Sequence, residues 1–180
     1  YNLGCMYRDG QGVNKDEKHA VKLFTLAAEQ SDDAAQFNLG CMYHNGLGVD
    51  KDVQHAVELY TLAADQGHAK AQFNLGCLYD NGRGVDKDEK RAVEMYTLAA
   101  EQGHAGAQYN LGIMYRDGIG VDKDEKRVVE FYTLAADQGH ADAQFNLGLI
   151  YAKGQGVDQS FTIARVWWEK AASQGDQGAI

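Results

Sequence analysis

The segment Ala71-Gln72-Phe73-Asn74-Leu75-Gly76-Cys77-Leu78-Tyr79 decides the fold, because its central Asn-Leu-Gly recurs along the chain at a fixed spacing. The motif begins at positions that are each 36 residues apart, namely Asn2, Asn38, Asn74, Asn110 and Asn146. A repeat period in this range is typical of a solenoid, in which each unit buries its apolar face against the next unit. The sequence therefore predicts a repeat protein.

Each repeat contains two helical patterns. The first, from Ala35 to about His44, is apolar on nearly all sides, as expected of a helix covered by several neighbours, and we name it helix A. The second, named helix B, has one apolar face at helical spacing. That face consists of Ala56, Val57, Tyr60, Ala63 and Ala64. The two patterns together predict an all-α fold.

Glycines and aspartates mark the ends of these helices. Gly82 and Gly84 follow helix A, where a left-handed residue can end a helix without a Cβ clash. Gly103 follows helix B in the same way. Asp86 and Asp122, each with a glutamate three residues later, predict capping boxes at the start of helix B.

Gly40 and Gly76 are different because they lie inside helix A. A glycine within a helix costs about 1 kcal/mol relative to alanine. We expect the close approach of a packed helix to compensate for this cost.

Charge and composition exclude several kinds of partner. The 180 residues include 17 Lys and Arg against 26 Asp and Glu, which gives a formal net charge of −9. Nucleic acids and anionic membrane surfaces attract basic proteins, so we expect neither as a partner. No stretch approaches the roughly 18 apolar residues of a transmembrane helix, so we expect no membrane insertion by this segment. The expected partners are therefore neutral or basic proteins.

The repeated unit reads Ala-x-Ala-Gln-(Phe/Tyr)-Asn-Leu-Gly, then Gly-x-Gly-Val, then Ala-Val-x-x-(Tyr/Phe)-x-x-Ala-Ala-x-Gln-Gly-His. This pattern resembles the Sel-one-like repeat (SLR) family, which is related to tetratricopeptide repeats. The resemblance implies a right-handed α/α superhelical solenoid of antiparallel helix hairpins whose helices A line a concave surface. It covers essentially the whole chain, and we expect one continuous array over residues 1–180, truncated at both ends. It also implies a scaffold or adaptor for proteins.

The asparagines of the Asn-Leu-Gly motif are the first candidate binding residues. Asparagine is a mediocre helix former, so its recurrence within helix A calls for a reason. Its amide offers a donor and an acceptor, which suit the backbone of a bound peptide. In a second interpretation, the amides bond within the helix A layer and fix the stacking register. Both interpretations stay open for Asn38, Asn74, Asn110 and Asn146.

A second set of candidates varies from repeat to repeat near the end of helix A. The residues at this position are Arg8, His44, Asp80, Arg116 and Ala152, and the candidates among them are His44, Asp80 and Arg116. If each repeat contacts one side chain of a partner, residues at this position would vary with the partner. Random sequence drift on a solvent-exposed face gives the same pattern. Extra apolar bulk in the last repeat, including Trp167 and Trp168, predicts an end-to-end or C-terminal contact.

The cysteines Cys5, Cys41 and Cys77 occupy one repeat position. Equivalent positions on stacked helices lie roughly 8–10 Å apart, beyond the ~7 Å Cα separation that a disulfide tolerates. We therefore expect free core thiols, which favour a cytoplasmic location. Cysteine-rich SLR relatives, which are bridged between helices A and B, imply a β-lactam-binding or hydrolysing enzyme as an alternative. The second cysteine of each such pair is absent here, so we expect no enzyme.

Three histidines, His68, His104 and His140, also recur at the repeat spacing. Ligands of one zinc ion must each lie about 2.0–2.1 Å from it, which a ladder along the stack cannot satisfy. We interpret them as polar residues at the N-terminus of helix A and expect no metal, cofactor or catalytic site. RNA binding by helical repeats needs a basic groove, which makes it a poor alternative for this acidic chain.

Overall fold

The computed structural model describes residues 1–175, and the regular structure in that range is entirely helical. This confirms the predicted all-α repeat with its 36-residue period. Odd-numbered helices are helices A and even-numbered helices are helices B. Along the described residues they are α1 (Asn2–Asp9), α2 (Glu17–Ala28), α3 (Asp33–Asn45), α4 (Val53–Asp65), α5 (Ala69–Asn81), α6 (Glu89–Glu101), α7 (Ala105–Asp117), α8 (Glu125–Asp137), α9 (Ala141–Lys153) and α10 (Phe161–Gly175).

The helices form two compact units, which divide between Asp88 and Glu89. The first unit contains α1 to α5 and the second contains α6 to α10. Within each unit, every helix packs against the helix that follows it in the chain. The expectation of one continuous array over residues 1–180 stays a prediction.

Small and aromatic side chains share the core of the first unit. Ala20 and Ala35 are completely buried, which allows α2 and α3 to pack closely. The ring of Phe24 is also completely buried, and Leu39, Met42 and Leu59 complete the cluster. Burying each large apolar side chain contributes about 1.5–3 kcal/mol, so the stability of a unit comes from contacts between its successive helices.

The glycine inside helix A is contacted as the sequence predicts. A Cβ atom on Gly40 would lie 2.8 Å from two ring carbons of Tyr60 on α4. The approaching group is thus an aromatic ring of the next helix B, which lies against the bare backbone of α3. The cost of glycine in the helix is offset by this packing.

The predicted capping boxes are wrong by two residues. The N-cap of α8 is Asp124, whose Oδ1 accepts hydrogen bonds from the backbone N–H groups of Lys126 and Arg127. Asp122 therefore lies outside the helix, and Asp86 likewise lies before the start of α6 at Glu89. A tertiary contact with the preceding helix sets the position at which α8 begins. The backbone N–H of Asp124 donates to the Tyr115 carbonyl at 3.1 Å, which fixes the helix start beside the end of α7.

Candidate functional site

The predicted site residues all lie on helices A. The motif asparagines are in the middle of α3, α5, α7 and α9, at Asn38, Asn74, Asn110 and Asn146. The variable residues are in the last turn of α3, α5 and α7, at His44, Asp80 and Arg116. Their role in binding stays a prediction, and their surroundings differ from repeat to repeat.

The side-chain amide of Asn38 uses both its nitrogen and its oxygen in hydrogen bonds within the chain. Its side chain is 8% exposed, and its Nδ2 donates to the Ala34 carbonyl at 2.7 Å and to the Tyr1 hydroxyl at 3.5 Å. Its Oδ1 accepts a hydrogen bond from the Arg8 guanidinium. The amide thus connects α1 to α3, as the register interpretation expects for this repeat.

Asn146 has a more open environment. It is half-buried, and its Nδ2 donates to the Tyr109 hydroxyl at 3.4 Å. Across residues 1–175 no donor is hydrogen-bonded to its Oδ1.

A cleft of about 390 Å³ lies beside Asn146, among α7, α8 and α9. The buried side chains of Val128 and Ile150 give it apolar lining. The charged groups that line the same cleft are of both signs, namely Arg116, Lys123, Lys153, Asp124 and Glu125. Two of the residues singled out from the sequence, Arg116 and Asn146, are thus brought to one place by the packing of consecutive helix hairpins.

Arg116 is held in position by its neighbours. Its Nε and one terminal nitrogen donate to the two carboxylate oxygens of Asp117 at 2.9 and 2.8 Å. These hydrogen bonds lower the pKa of Asp117 and raise the pKa of Arg116. The other terminal nitrogen donates to the Tyr132 hydroxyl at 3.4 Å. Burial raises the pKa of Tyr132 to about 12, so this hydroxyl stays protonated at neutral pH.

The remaining predicted residues are partly enclosed. The Nδ1 atom of His44 is buried without a hydrogen-bond partner among the described residues, and burial lowers the pKa of this histidine. Asn74 interacts with the hydroxyl of Tyr60. Asn110 and Asp80 are half-buried. Of the predicted site residues, the structure thus brings only Arg116 and Asn146 together in this cleft.

A ladder of buried glutamines was not predicted from the sequence. The glutamine two residues before each motif asparagine is at most 4% exposed in α3, α5, α7 and α9. In α7, Gln108 donates to the Ala100 carbonyl at 3.2 Å and accepts from Gln138 at 2.7 Å. These bonds satisfy a buried polar group and fix the junction of successive repeats. The sequence signal that could have predicted this ladder is a glutamine that recurs inside an otherwise apolar helix.

Cys5, Cys41 and Cys77 are half-buried, so the expectation of core thiols holds only in part. Cys5 and Cys41 are free, and Cys41 accepts a hydrogen bond from the Tyr60 hydroxyl at 3.4 Å. Burial raises the pKa of the Cys41 thiol. Because the thiolate is the reactive form, this cysteine is a poor nucleophile at neutral pH.

The recurring histidines cap helix A, as predicted. His68 Nδ1 accepts the backbone N–H of Ala71 at 3.2 Å, and the imidazole stacks on Phe37 with ring centroids 4.6 Å apart. His104 and His140 cap α7 and α9 in the same way. Asp32 is the N-cap of α3 and accepts the corresponding backbone hydrogen bond.

Acid is expected to weaken the His68 cap. Burial lowers the pKa of His68, and its Nδ1 must stay unprotonated to accept a hydrogen bond. As the pH falls below about 6.5, the unfolded chain takes up this proton first, so the free energy of unfolding decreases until folded His68 is also protonated.

The control for this prediction is His68→Asp, which copies the cap at Asp32. Thermal unfolding of the two proteins over a pH series should show a shallower acid dependence for the variant. Equal slopes would show that the His68 cap does not sense pH.

The predicted partner contact through Trp167 and Trp168 is not supported. Trp168 fills a position within the stack, where its Nε1 donates to the Phe145 carbonyl at 3.2 Å. Trp167 packs on the core formed by α8 and α9, with the Lys170 ammonium 3.9 Å from its ring centroid. Both tryptophans are half-buried against their own chain.

The part of the chain that the structure describes has neither a metal cluster nor a membrane helix. Within residues 1–175, no three or more His, Cys, Asp and Glu side chains are grouped so that they could hold a metal ion. Over the same range, no helix has the length and apolar character needed to cross a bilayer.

Successive helix hairpins, with a cleft among α7, α8 and α9, define a helical-repeat protein. The family model for the Sel1 repeat matches residues 1–32, 33–68, 69–104, 105–140 and 141–176. The chain therefore belongs to the Sel1 repeat family. Proteins of this family are generally protein-interaction scaffolds, and their fold is typically non-enzymatic.

Solved structures agree with this assignment. The chain is 39% identical to c5321, a protective antigen of uropathogenic Escherichia coli with an SLR fold, at a TM-score of 0.95. That match covers 98% of this chain but only 38% of c5321. A Sel1 repeat protein from Oxalobacter formigenes is 38% identical at a TM-score of 0.91, over 97% of this chain and 72% of the other.

A third solved structure is more distant. Helicobacter pylori cysteine rich protein B is 27% identical at a TM-score of 0.57, over 72% of this chain and 92% of the other. No curated protein sequence matches the chain.

Proposed function

We propose that this chain is a protein-interaction scaffold that binds an extended peptide segment of its partner on the helix A surface, with Asn146 and Arg116 in the binding site. The observation that carries the proposal is the cleft that these two residues share. Its apolar lining, Val128 and Ile150, offers space to an apolar side chain of the peptide. The amide oxygen of Asn146 offers an acceptor to a peptide N–H.

The proposal gives the motif asparagines two different roles. Asn38, whose donors and acceptor are all used within the chain, is a register residue. Asn146, whose amide oxygen has no donor among the described residues, is a contact residue. His44, Asn74, Asp80 and Asn110 remain proposed contacts within their own repeats.

A test begins with peptides selected on the whole chain from a random peptide library. Replacing Asn146 with alanine should weaken the binding of a labelled selected peptide by about 1–3 kcal/mol, the scale of a lost buried hydrogen bond. The melting temperature should stay nearly unchanged. Fluorescence anisotropy gives the affinity, and thermal unfolding followed by circular dichroism gives the stability.

The matched control is Asn38→Ala at the same repeat position. This change should lower the melting temperature, because it removes the bonds between α1 and α3, and should leave the affinity of the peptide unchanged. If Asn146→Ala lowers the melting temperature and leaves the affinity unaltered, both asparagines are register residues and the proposed site is wrong.

A further inference from the structure

Arg8 and Arg116 occupy the same repeat position but bond differently. Each guanidinium holds the carboxylate of the next residue, Asp9 or Asp117, through two nitrogens. The third nitrogen of Arg8 donates to the Oδ1 of Asn38. The third nitrogen of Arg116 donates instead to the Tyr132 hydroxyl at 3.4 Å.

The residues that the two arginines face on the next helix B also differ. Phe24 and Tyr132 are equivalent in the repeat, and both rings are almost completely buried against the glycine of the preceding helix A. Phe24 has no hydroxyl, so Arg8 has no acceptor on that ring. Tyr132 provides an acceptor, and Arg116 uses it.

We propose that the Tyr132 hydroxyl is a positioning group that holds Arg116 away from Asn146 and so leaves the Asn146 amide oxygen open to a peptide N–H donor. Without this hydroxyl, Arg116 would bond to Asn146 as Arg8 bonds to Asn38. A guanidinium donates a charge-assisted hydrogen bond, which a neutral peptide N–H displaces poorly. The inference rests on the proposed function and adds the group that decides which repeat can bind.

The test uses the labelled peptide whose binding depends on Asn146. Tyr132→Phe should weaken its binding about tenfold, which corresponds to about 1.4 kcal/mol. In an Arg116→Ala background, the same change at position 132 should have no effect, because no guanidinium is left to occupy Asn146. A double-mutant cycle of the four proteins therefore isolates the coupling between these two residues.

Two further measurements separate positioning from a structural effect. Tyr60→Phe removes the equivalent buried hydroxyl from another repeat, and any change that it causes in the affinity of the peptide should be the same with and without Arg116. The side-chain amide signals of Asn146 in a nitrogen-15 NMR spectrum should shift in the Tyr132→Phe protein without any peptide. They should return to their original positions when Arg116→Ala is added.

The outcomes are distinct. If Tyr132→Phe binds the peptide like the unchanged protein, or loses the same affinity in both backgrounds, the positioning role is wrong while the proposed function stands. If no selected peptide depends on Asn146, the proposed function fails. In that case the NMR shift alone decides whether Tyr132 controls Arg116.

Discussion

Replacing Gly112 with alanine is expected to destabilise the second unit by about 3 kcal/mol, even though alanine is the better helix former. A Cβ atom at this position would overlap Cε1 and Cδ1 of the Tyr132 ring. That ring is only 1% exposed and packed within the core of α8 and α9, so it has no space into which to move. The gain of about 1 kcal/mol in helix propensity cannot offset this overlap.

The free energy of unfolding in urea measures the effect, and a second variant tests its cause. Tyr132→Leu should lower stability on its own, because it leaves space beside Gly112. In that background, Gly112→Ala should cost much less, since the added methyl group enters the vacated space. Equal costs in the two backgrounds would show that the ring is not what requires glycine.

The sequence is sufficient for the features that repeat and depend on near neighbours. The 36-residue spacing and the apolar stripes predict the helix hairpins, because each helix must bury its apolar face against the next. The glycine within helix A predicts a close contact, because it has no other benefit in a helix. The position of His68 after a helix-ending glycine predicts a place at a helix N-terminus, and that is where it lies.

Features that depend on partners distant in the chain could not be predicted in this way. Asp124 replaces Asp122 as a cap because a backbone hydrogen bond to Tyr115 fixes the start of α8. The motif asparagines look alike in sequence, yet Asn38 accepts a hydrogen bond from Arg8, whereas Arg116 donates to Tyr132 instead of Asn146. The periodic pattern that predicts the helices does not record these side-chain contacts.

The contacts of the second glycine in the loop pairs could not be predicted either, because the sequence indicates a turn there but not a contact. In Gly120, φ is +69° and a Cβ atom would lie 2.5 Å from the backbone oxygen of Glu89. Gly48 contacts Glu17 in the equivalent way in the first unit. These glycines therefore allow a loop to pack against the start of the helix B in the preceding repeat.

Replacing Gly120 with alanine should consequently cost about 3 kcal/mol or more, because a backbone carbonyl cannot rotate away as a side chain can. The chain offers a matched control in Gly139, where φ is +87° and no atom lies within 4 Å of the place that an added methyl group would take. Gly139→Ala should cost only the left-handed backbone strain, about 1–2 kcal/mol. Urea unfolding of the two variants separates strain from contact, since only Gly120→Ala has both. Equal losses would mean that Gly120 is merely a turn residue, and that the loop does not require close packing at the repeat junction.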